Sequence, residues 1–536
     1  MRGAVLALLA VGFAARASAQ DLVVGDPRED YVRVLQLLGK AHPGPLLLRP
    51  ITGGMLARVD STGHPWAGRL VGRSGAIGRL RFGLADPEVR GYVNSTRPLA
   101  DNDGLVWQGK GATLYATAGV WGTLGPVTVT LQPEYAWAQN RAFATLPVTS
   151  GSPSPFADPW YGRGLDRPQR FGDGGYEQWS LGQSSVRVDL RGFAAGVTSA
   201  NAWWGPGQRQ AILLSNQPPG FPRAFLATGR PVDVGFGRVE FHWFWGALAE
   251  SRFFDLVDTN DTKYVTGLAF DLEIDPVPGL YLGGARLFYL DWPTTGLDGG
   301  ELFLVFQGVT KVSQETPENP TGDDDRDQML SLFARWVLPA SGFEVNAEWA
   351  RNDHSGTVRD FLLQPEHSQG YTVGMQKAWD MTGRSILRAR AELTHLELSK
   401  TVLARPTPTY YVHYRVHGGY THRGQVVGAV VGPGGNGQYA GLDWFARWGT
   451  LGGFVVRHVK DNDTYYRLVR AGTIPNWPPR NDVELTVGAT GSVFLGRVTV
   501  GGTLAVGREW NRYYEELNDQ TNLHAEVRVR WTGGIR

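Results

Sequence analysis

Several stretches of this chain carry residue types that could do chemistry. Gly432-Pro433-Gly434-Gly435-Asn436-Gly437 has the G-x-G-x-x-G spacing of a dinucleotide-binding turn. That turn works only where a strand feeds a helix whose N-terminus receives the pyrophosphate, and no helical pattern follows here, so a turn between strands is expected. Asp323-Asp324-Asp325-Arg326-Asp327 offers hard oxygen ligands, but the glycine and closing glutamate of a calcium loop are absent. A solvated acidic loop is the expectation, with no metal. Gly182-Gln183-Ser184 does not complete G-x-S-x-G, there is no H-E-x-x-H or P-loop, and the chain has no cysteine for thiolate chemistry. These residues predict a protein that is not an enzyme and has no cofactor.

Binding chemistry is better represented. Asn201 to Asn216 reads N-A-W-W-G-P-G-Q-R-Q-A-I-L-L-S-N. Gly205-Pro206-Gly207 forces a tight, irregular backbone. Trp203 and Trp204 supply flat aromatic faces of the kind that stack on the apolar faces of sugar rings. Gln208, Arg209 and Asn216 supply donors and acceptors for hydroxyls, and Arg209 a fork for carboxylates. Polysaccharide contact is one use of this stretch; an aromatic wedge that shuts a lumen is the other.

The elements that must position these residues are strands. Val127, Val129 and Leu131 alternate with Thr128, Thr130 and Gln132; Phe343, Val345, Ala347 and Trp349 alternate with Glu344, Asn346 and Glu348. Leu387, Ala389, Ala391 and Leu393 alternate with Arg388, Arg390, Glu392 and Thr394, and Leu523 to Trp531 repeats the pattern with His524, Glu526, Arg528 and Arg530. A soluble sandwich alternates too. Full charges on the polar face, Trp or Tyr near the ends of the apolar face, and segments long enough to cross a bilayer at a tilt favour a membrane barrel. The fold class expected is therefore all-β: a transmembrane, outer-membrane antiparallel β-barrel from 91 to 536. At roughly 24 residues per strand with its loop this makes about 18 strands, within a range of about 16 to 20.

Ahead of the barrel, Arg2, the apolar Ala4 to Ala15 and the small residues Ala17-Ser18-Ala19 read as a signal peptide over 1–19. Residues 20–90 form a small periplasmic, partly helical segment. Asp26-Pro27 caps a stripe of Tyr31, Val32, Leu35 and Leu38 that stops at Gly39. Short connections such as Leu124-Gly125-Pro126 and Asp380 to Gly383 suit periplasmic turns. Leu146 to Gly175, Gln314 to Gln328 and Asp461 to Arg480 suit outward loops. With 71 Gly, 32 Pro, 19 Trp, 19 Tyr and a formal net charge of +1 in 536 residues, the chain suits many turns and lacks the basic balance of a nucleic-acid binder.

Trp203-Trp204-Gly205-Pro206-Gly207, followed by Leu213-Leu214-Ser215-Asn216 and Phe221-Pro222, resembles the central signature of the Wzi-type capsule assembly family. Gln364 to Tyr371 and Val416-His417-Gly418-Gly419-Tyr420-Thr421-His422-Arg423 to Gly428 resemble later signatures of the same family, in the same order. The resemblance implies an 18-stranded outer-membrane barrel with a periplasmic helical element, a lectin-like protein that binds capsular or exported polysaccharide and organises it at the cell surface. Trp203, Trp204, Gln208, Arg209, Asn216, Tyr371, Tyr420 and Arg423 are the candidate contacts. His367, Tyr371, His417 and Tyr420 could equally pack inside the lumen. Expected partners are polysaccharide and outer-membrane lipid, for a monomer. The rival expectation is a porin-like channel or transporter, which needs an open lumen and a ring of charge at a constriction.

Overall fold

In the computed structural model, residues 21–532 are described apart from 57–58, 60–62, 73, 100, 149–153, 255–260, 311–325, 354 and 383. The expected signal peptide and most of the acidic run lie outside the described residues. Eighteen antiparallel strands close into one barrel. The last strand, Gln520–Trp531, pairs with the first, Leu80–Asn94, from His524 against Asn94 to Arg530 against Glu88, which leaves no free sheet edge. Three of the eighteen are broken, one of them into Arg223–Thr228 and Val232–Asp233, which both pair with Gly237–Ala249. Val127–Leu131 and Glu134–Ala138 both pair with Gly111–Leu124, with Pro133, which has no N–H for the ladder, at the break. Their partner is likewise split into Tyr176–Ser180 and Ser185–Leu190.

The alternation sorts into two faces as period two requires. Val129, Val345, Leu393, Leu523 and Val527 are exposed on the outer wall, whereas Glu344, Glu348, Arg388 and Glu392 are buried inside. Trp137, Trp336, Trp379 and Trp444 are partly exposed on the outer wall, as an interfacial girdle would be. The wall starts earlier than the residue 91 expected from alternation, because Leu80–Asn94 is a strand throughout. Arg326, Asp327 and Gln328 open the strand Arg326–Leu338 instead of closing a loop.

Helices are short: α1 (Pro27–Leu37), α2 (Gly53–Leu56), α3 (Gly299–Leu302), α4 (Val358–Leu363) and α5 (Asn462–Arg470). The expected cap of α1 forms, with Asp26 accepting from the Arg28 N–H at 2.8 Å and Pro27 at the first position. The partly helical segment expected on the periplasmic side is packed into the barrel, at the end carrying the short turns. Tyr31, Val32, Val34, Leu35 and Leu37 are fully buried. Lys40 pairs with Asp380 at 2.9 Å, and the Trp66 indole donates to the Ala446 carbonyl at 3.1 Å, both at such turns.

Ion pairs brace α1 across the lumen. Asp26 and Arg28 meet Arg530 at 2.8 Å and Asp86 at 2.5 Å, on the seam strands. Asp30 meets Arg388 at 2.7 Å, and Arg33 pairs with Glu344, which also holds Arg335 at 2.7 Å. Each of these buried charges has a partner, the condition under which burial is tolerated.

Candidate functional site

The Trp-Trp-Gly-Pro-Gly stretch crosses the lumen above α1. Arg49 and Leu48 pair as a two-residue antiparallel ladder with Trp203 and Trp204, and the Gly205 N–H donates to the Leu47 carbonyl at 2.8 Å. Two strand carboxylates grip the turn from the wall. Glu392 accepts from the backbone N–H groups of Gln208 at 2.6 Å, Arg209 at 3.1 Å and Gln210 at 2.8 Å. Glu348 accepts from the Ile212 N–H at 3.3 Å and the Ser331 hydroxyl at 2.7 Å. Three converging amides around one carboxylate form a strong, charge-assisted set. The glycines make it possible: Gly205 has φ +115°, and a Cβ on Gly207 would lie 1.9 Å from the Gln210 carbonyl oxygen.

A second segment, residues 409–431, lies over the first. The Tyr411 hydroxyl donates to the Ile212 carbonyl at 2.8 Å, and that of Tyr420 to the Leu213 carbonyl at 2.7 Å. Ser215 closes the contact, its N–H donating to the Val427 carbonyl at 3.0 Å and its hydroxyl to that of Gly428 at 2.6 Å. The first and third family-like stretches are therefore one packed unit, and with α1 they cross the barrel in layers.

The eight sequence candidates scatter within this frame. Trp203 and Trp204 are 2% and 1% exposed. The Arg49 guanidinium covers Trp203 at 4.4 Å, while Trp204 packs on Phe244 at 5.2 Å. Their faces are occupied by the protein itself, the wedge arrangement rather than the open stacking face. Tyr420 is fully buried, and Asn216 spends its amide on the Asn102 carbonyl at 2.9 Å. Arg423 sits at a hairpin tip and donates to the Trp179 carbonyl at 3.2 Å. Tyr371 does not face the lumen: it shares the outer wall with exposed Val373 and meets the His395 ring at 5.2 Å. His367 bonds Thr401 at 2.8 Å, and the His417 ring rests on Phe254 at 5.0 Å.

Gln208 and Arg209 alone of the eight line a cavity of about 400 Å³. There the Arg209 guanidinium pairs with Asp101 and stacks on Tyr439 at 4.8 Å; Arg390 stacks on the same ring at 5.1 Å. Arg390, Glu392 and Glu348 stand on the charged face of their strands, so alternation marks them as lumen residues. Nothing in the sequence marks them as partners of residues 205–212.

Open aromatic faces occur elsewhere, in the long loops at the outward end. α5 presents Tyr466 and Arg470 to solvent, and Trp477 beyond it is 79% exposed. Tyr465 joins Tyr466 at 5.2 Å and Tyr514 at 5.8 Å, and Tyr514 meets Trp160 at 5.3 Å. Arg167 bolts this cluster, pairing with Asp158 at 2.7 Å and Asp461 at 3.0 Å. Tyr414 and Arg163 are exposed beside it. Such surfaces offer ring-stacking with adjacent cationic donors.

Among solved structures, the chain resembles Escherichia coli Wzi, described as an outer-membrane protein involved in group 1 capsule assembly and a carbohydrate-binding β-barrel. The TM-score is 0.63 at 11% identity, over 96% of this chain and 99% of that one. Pseudomonas aeruginosa OccK2, solved with glucuronate, aligns at TM-score 0.42 and 10% identity over 86% of this chain and 98% of that one. Acinetobacter baumannii OccAB2 aligns at 0.42 and 9% over 85% and 98%. No curated protein sequence matches the chain. The model of the capsule assembly protein Wzi family matches residues 86–523, from the first strand to the last and through the 201–217 and 409–431 segments that cross the lumen, so the chain belongs to that family.

Proposed function

We propose that this barrel sits in the outer membrane and binds a capsular or exported polysaccharide, holding it at the cell surface, as a monomer and without catalysis. The observation that carries the proposal is the family match through a barrel whose lumen is crossed by its own 201–217 and 409–431 segments, held by Glu348, Glu392, Tyr411 and Tyr420. A diffusion channel needs that space open. The polymer would lie on the outward loops, its sugar faces on Tyr414, Tyr466 and Trp477 and its acidic or hydroxyl groups on Arg163 and Arg470. Gln208 and Arg209 are contacts for whatever segment reaches the cavity. Trp203, Trp204, Asn216 and Tyr420 serve as the frame beneath.

The test is binding of the host's own surface polysaccharide to the detergent-solubilised barrel, with heat-modifiable migration as the check on folding. Tyr466→Ala/Trp477→Ala is expected to weaken saturable binding about tenfold, the worth of one or two lost stacking contacts. Unchanged binding in that variant, with loss in Gln208→Ala/Arg209→Ala, would move the site into the lumen. No binding by the native barrel, together with steady ion conductance, would overturn the proposal in favour of a channel.

A further inference from the structure

On one flank, near the outward rim, two loop segments fold back over the outside of the barrel wall. In the first, Asp298 caps α3 with Glu301 completing the reciprocal bonds. Leu304 and Val305 then pack against Tyr264 and Phe288, with Trp243 and Trp245 beside them. The second contains α4, whose Phe361 meets the outer-wall Trp349 ring at 6.0 Å. A backbone bridge between Thr310 and Ser355 joins the two. Together they turn Phe303, Phe306, Val358, Leu362 and Leu363 outward, all exposed, with Leu362 at 70%.

Two arginines lie beneath this shelf on the lipid-facing side of their strands, and they differ in one respect. Arg286 is fully supplied: it donates to the carbonyls of Val305 at 3.1 Å and Gly308 at 2.8 Å and to the Gln328 amide oxygen at 2.8 Å. Arg351 is 4% exposed, and all three of its guanidinium nitrogens lack a hydrogen-bond partner among the described residues. The Phe361 ring stands 5.4 Å from it. The neighbouring Ser355 hydroxyl is also buried and unpartnered. Its nearest acid in α4, Asp360, is committed to Arg405 at 2.5 Å and 3.0 Å and to the Gly356 N–H at 2.9 Å. A guanidinium stripped of water with five donors unmet is among the costlier things a fold can contain.

We propose that this flank seats an anionic membrane lipid of the outer leaflet, with a headgroup phosphate on Arg351 and an acyl chain along Leu362, Leu363 and Phe306. The anion follows from the unmet fork, which matches phosphate two oxygens at a time. The lipid follows from place: the guanidinium stands on the outer wall, behind the exposed apolar residues of α4. Arg359, exposed on α4, adds charge at the headgroup level. Entry moves Phe361 off the guanidinium, a small displacement for a helix of six residues.

Native mass spectrometry of the barrel in detergent, titrated with bis-phosphorylated lipid A, fully dephosphorylated lipid A and inorganic phosphate, is the experiment. The phosphorylated lipid is expected to stay bound, and Arg351→Gln to weaken it about tenfold. The exposed pair Leu362→Ser/Leu363→Ser, which leaves the strand untouched, is expected to weaken the same lipid while heat-modifiable migration stays normal. Equal retention of the dephosphorylated lipid, or full binding in both variants, overturns the proposal. Inorganic phosphate binding as tightly as the lipid would make this a free-anion site and overturns the lipid assignment.

Discussion

Gly207 is the residue on which the lumen motif turns. A methyl group there would sit 1.9 Å from the Gln210 carbonyl oxygen, so the backbone must open and the three amides converging on Glu392 cannot all be kept. Gly207→Ala is expected to cost roughly 2 kcal/mol or more, read as a lower temperature for loss of the folded band on gels. Glu392→Gln keeps the shape but loses the charge, and a loss of about 1 to 2 kcal/mol is expected by the same measure. At this scale the sequence was partly legible. The motif's residue types announced a tight turn with aromatic and cationic groups, but whether Trp203 and Trp204 are open or covered depends on Arg49 and Phe244, which come from distant parts of the chain. The place of Tyr371 is legible: Tyr371, Val373 and Met375 alternate with Gly370, Thr372 and Gly374, which puts the ring on the apolar side of its strand.

Among the elements, strand alternation and the α1 cap were readable because both are local: the first follows from the pleat, the second from Asp26-Pro27. That α1 lies inside the barrel was not, because its acidic and basic residues read as a solvated face until Glu344 and Arg388 are brought to them. Glu344→Gln would leave Arg33 and Arg335 facing each other without a carboxylate, at a cost of about 3 to 5 kcal/mol. Arg33→Met, which leaves the Arg335–Glu344 pair, should cost clearly less; equal effects would mean that α1 is not braced there. The outward helix α5 makes a pH-dependent contact. Its Asp463 accepts from Thr409 and from the Leu398 N–H at 2.9 Å, and burial pushes its carboxyl up to about 6, against those lowering bonds. The docked helix therefore holds the proton more tightly than the free one. Docking is strongest below the ordinary carboxylate pKa near 4 and weakens as pH rises towards 6. Proteolytic cleavage in residues 462–480 should be faster at pH 7 than at pH 5, after correction for protease activity, and Asp463→Asn should flatten the difference.

For the whole molecule, closure and strand number follow from length, alternation and the need to hide sheet edges, whereas the filling of the lumen depends on long-range contacts no periodicity records. The layers that cross it have separate latches to the wall: α1 by Asp26 and Asp30 to Arg530 and Arg388, and the 201–217 segment by Glu348 and Glu392 from the wall and by Tyr411 and Tyr420 from above. Releasing one latch should leave the other closed. Asp26→Ala/Asp30→Ala removes the α1 latches to Arg530 and Arg388 and leaves those of Arg28 to Asp86 and Arg33 to Glu344, and its single-channel conductance in planar bilayers should stay close to that of the native barrel. Adding Glu348→Ala and Glu392→Ala withdraws the carboxylates that hold five groups of the inner segment and its strand, so frequent large openings should appear only in the fourfold variant. If loss of those two α1 latches alone opened a pore, the motif segment would be a passenger on that helix. If the fourfold variant stayed closed, the hydroxyls of Tyr411 and Tyr420 with the packing of Trp204 would suffice to hold the plug, since the 409–431 segment reaches the wall without those carboxylates.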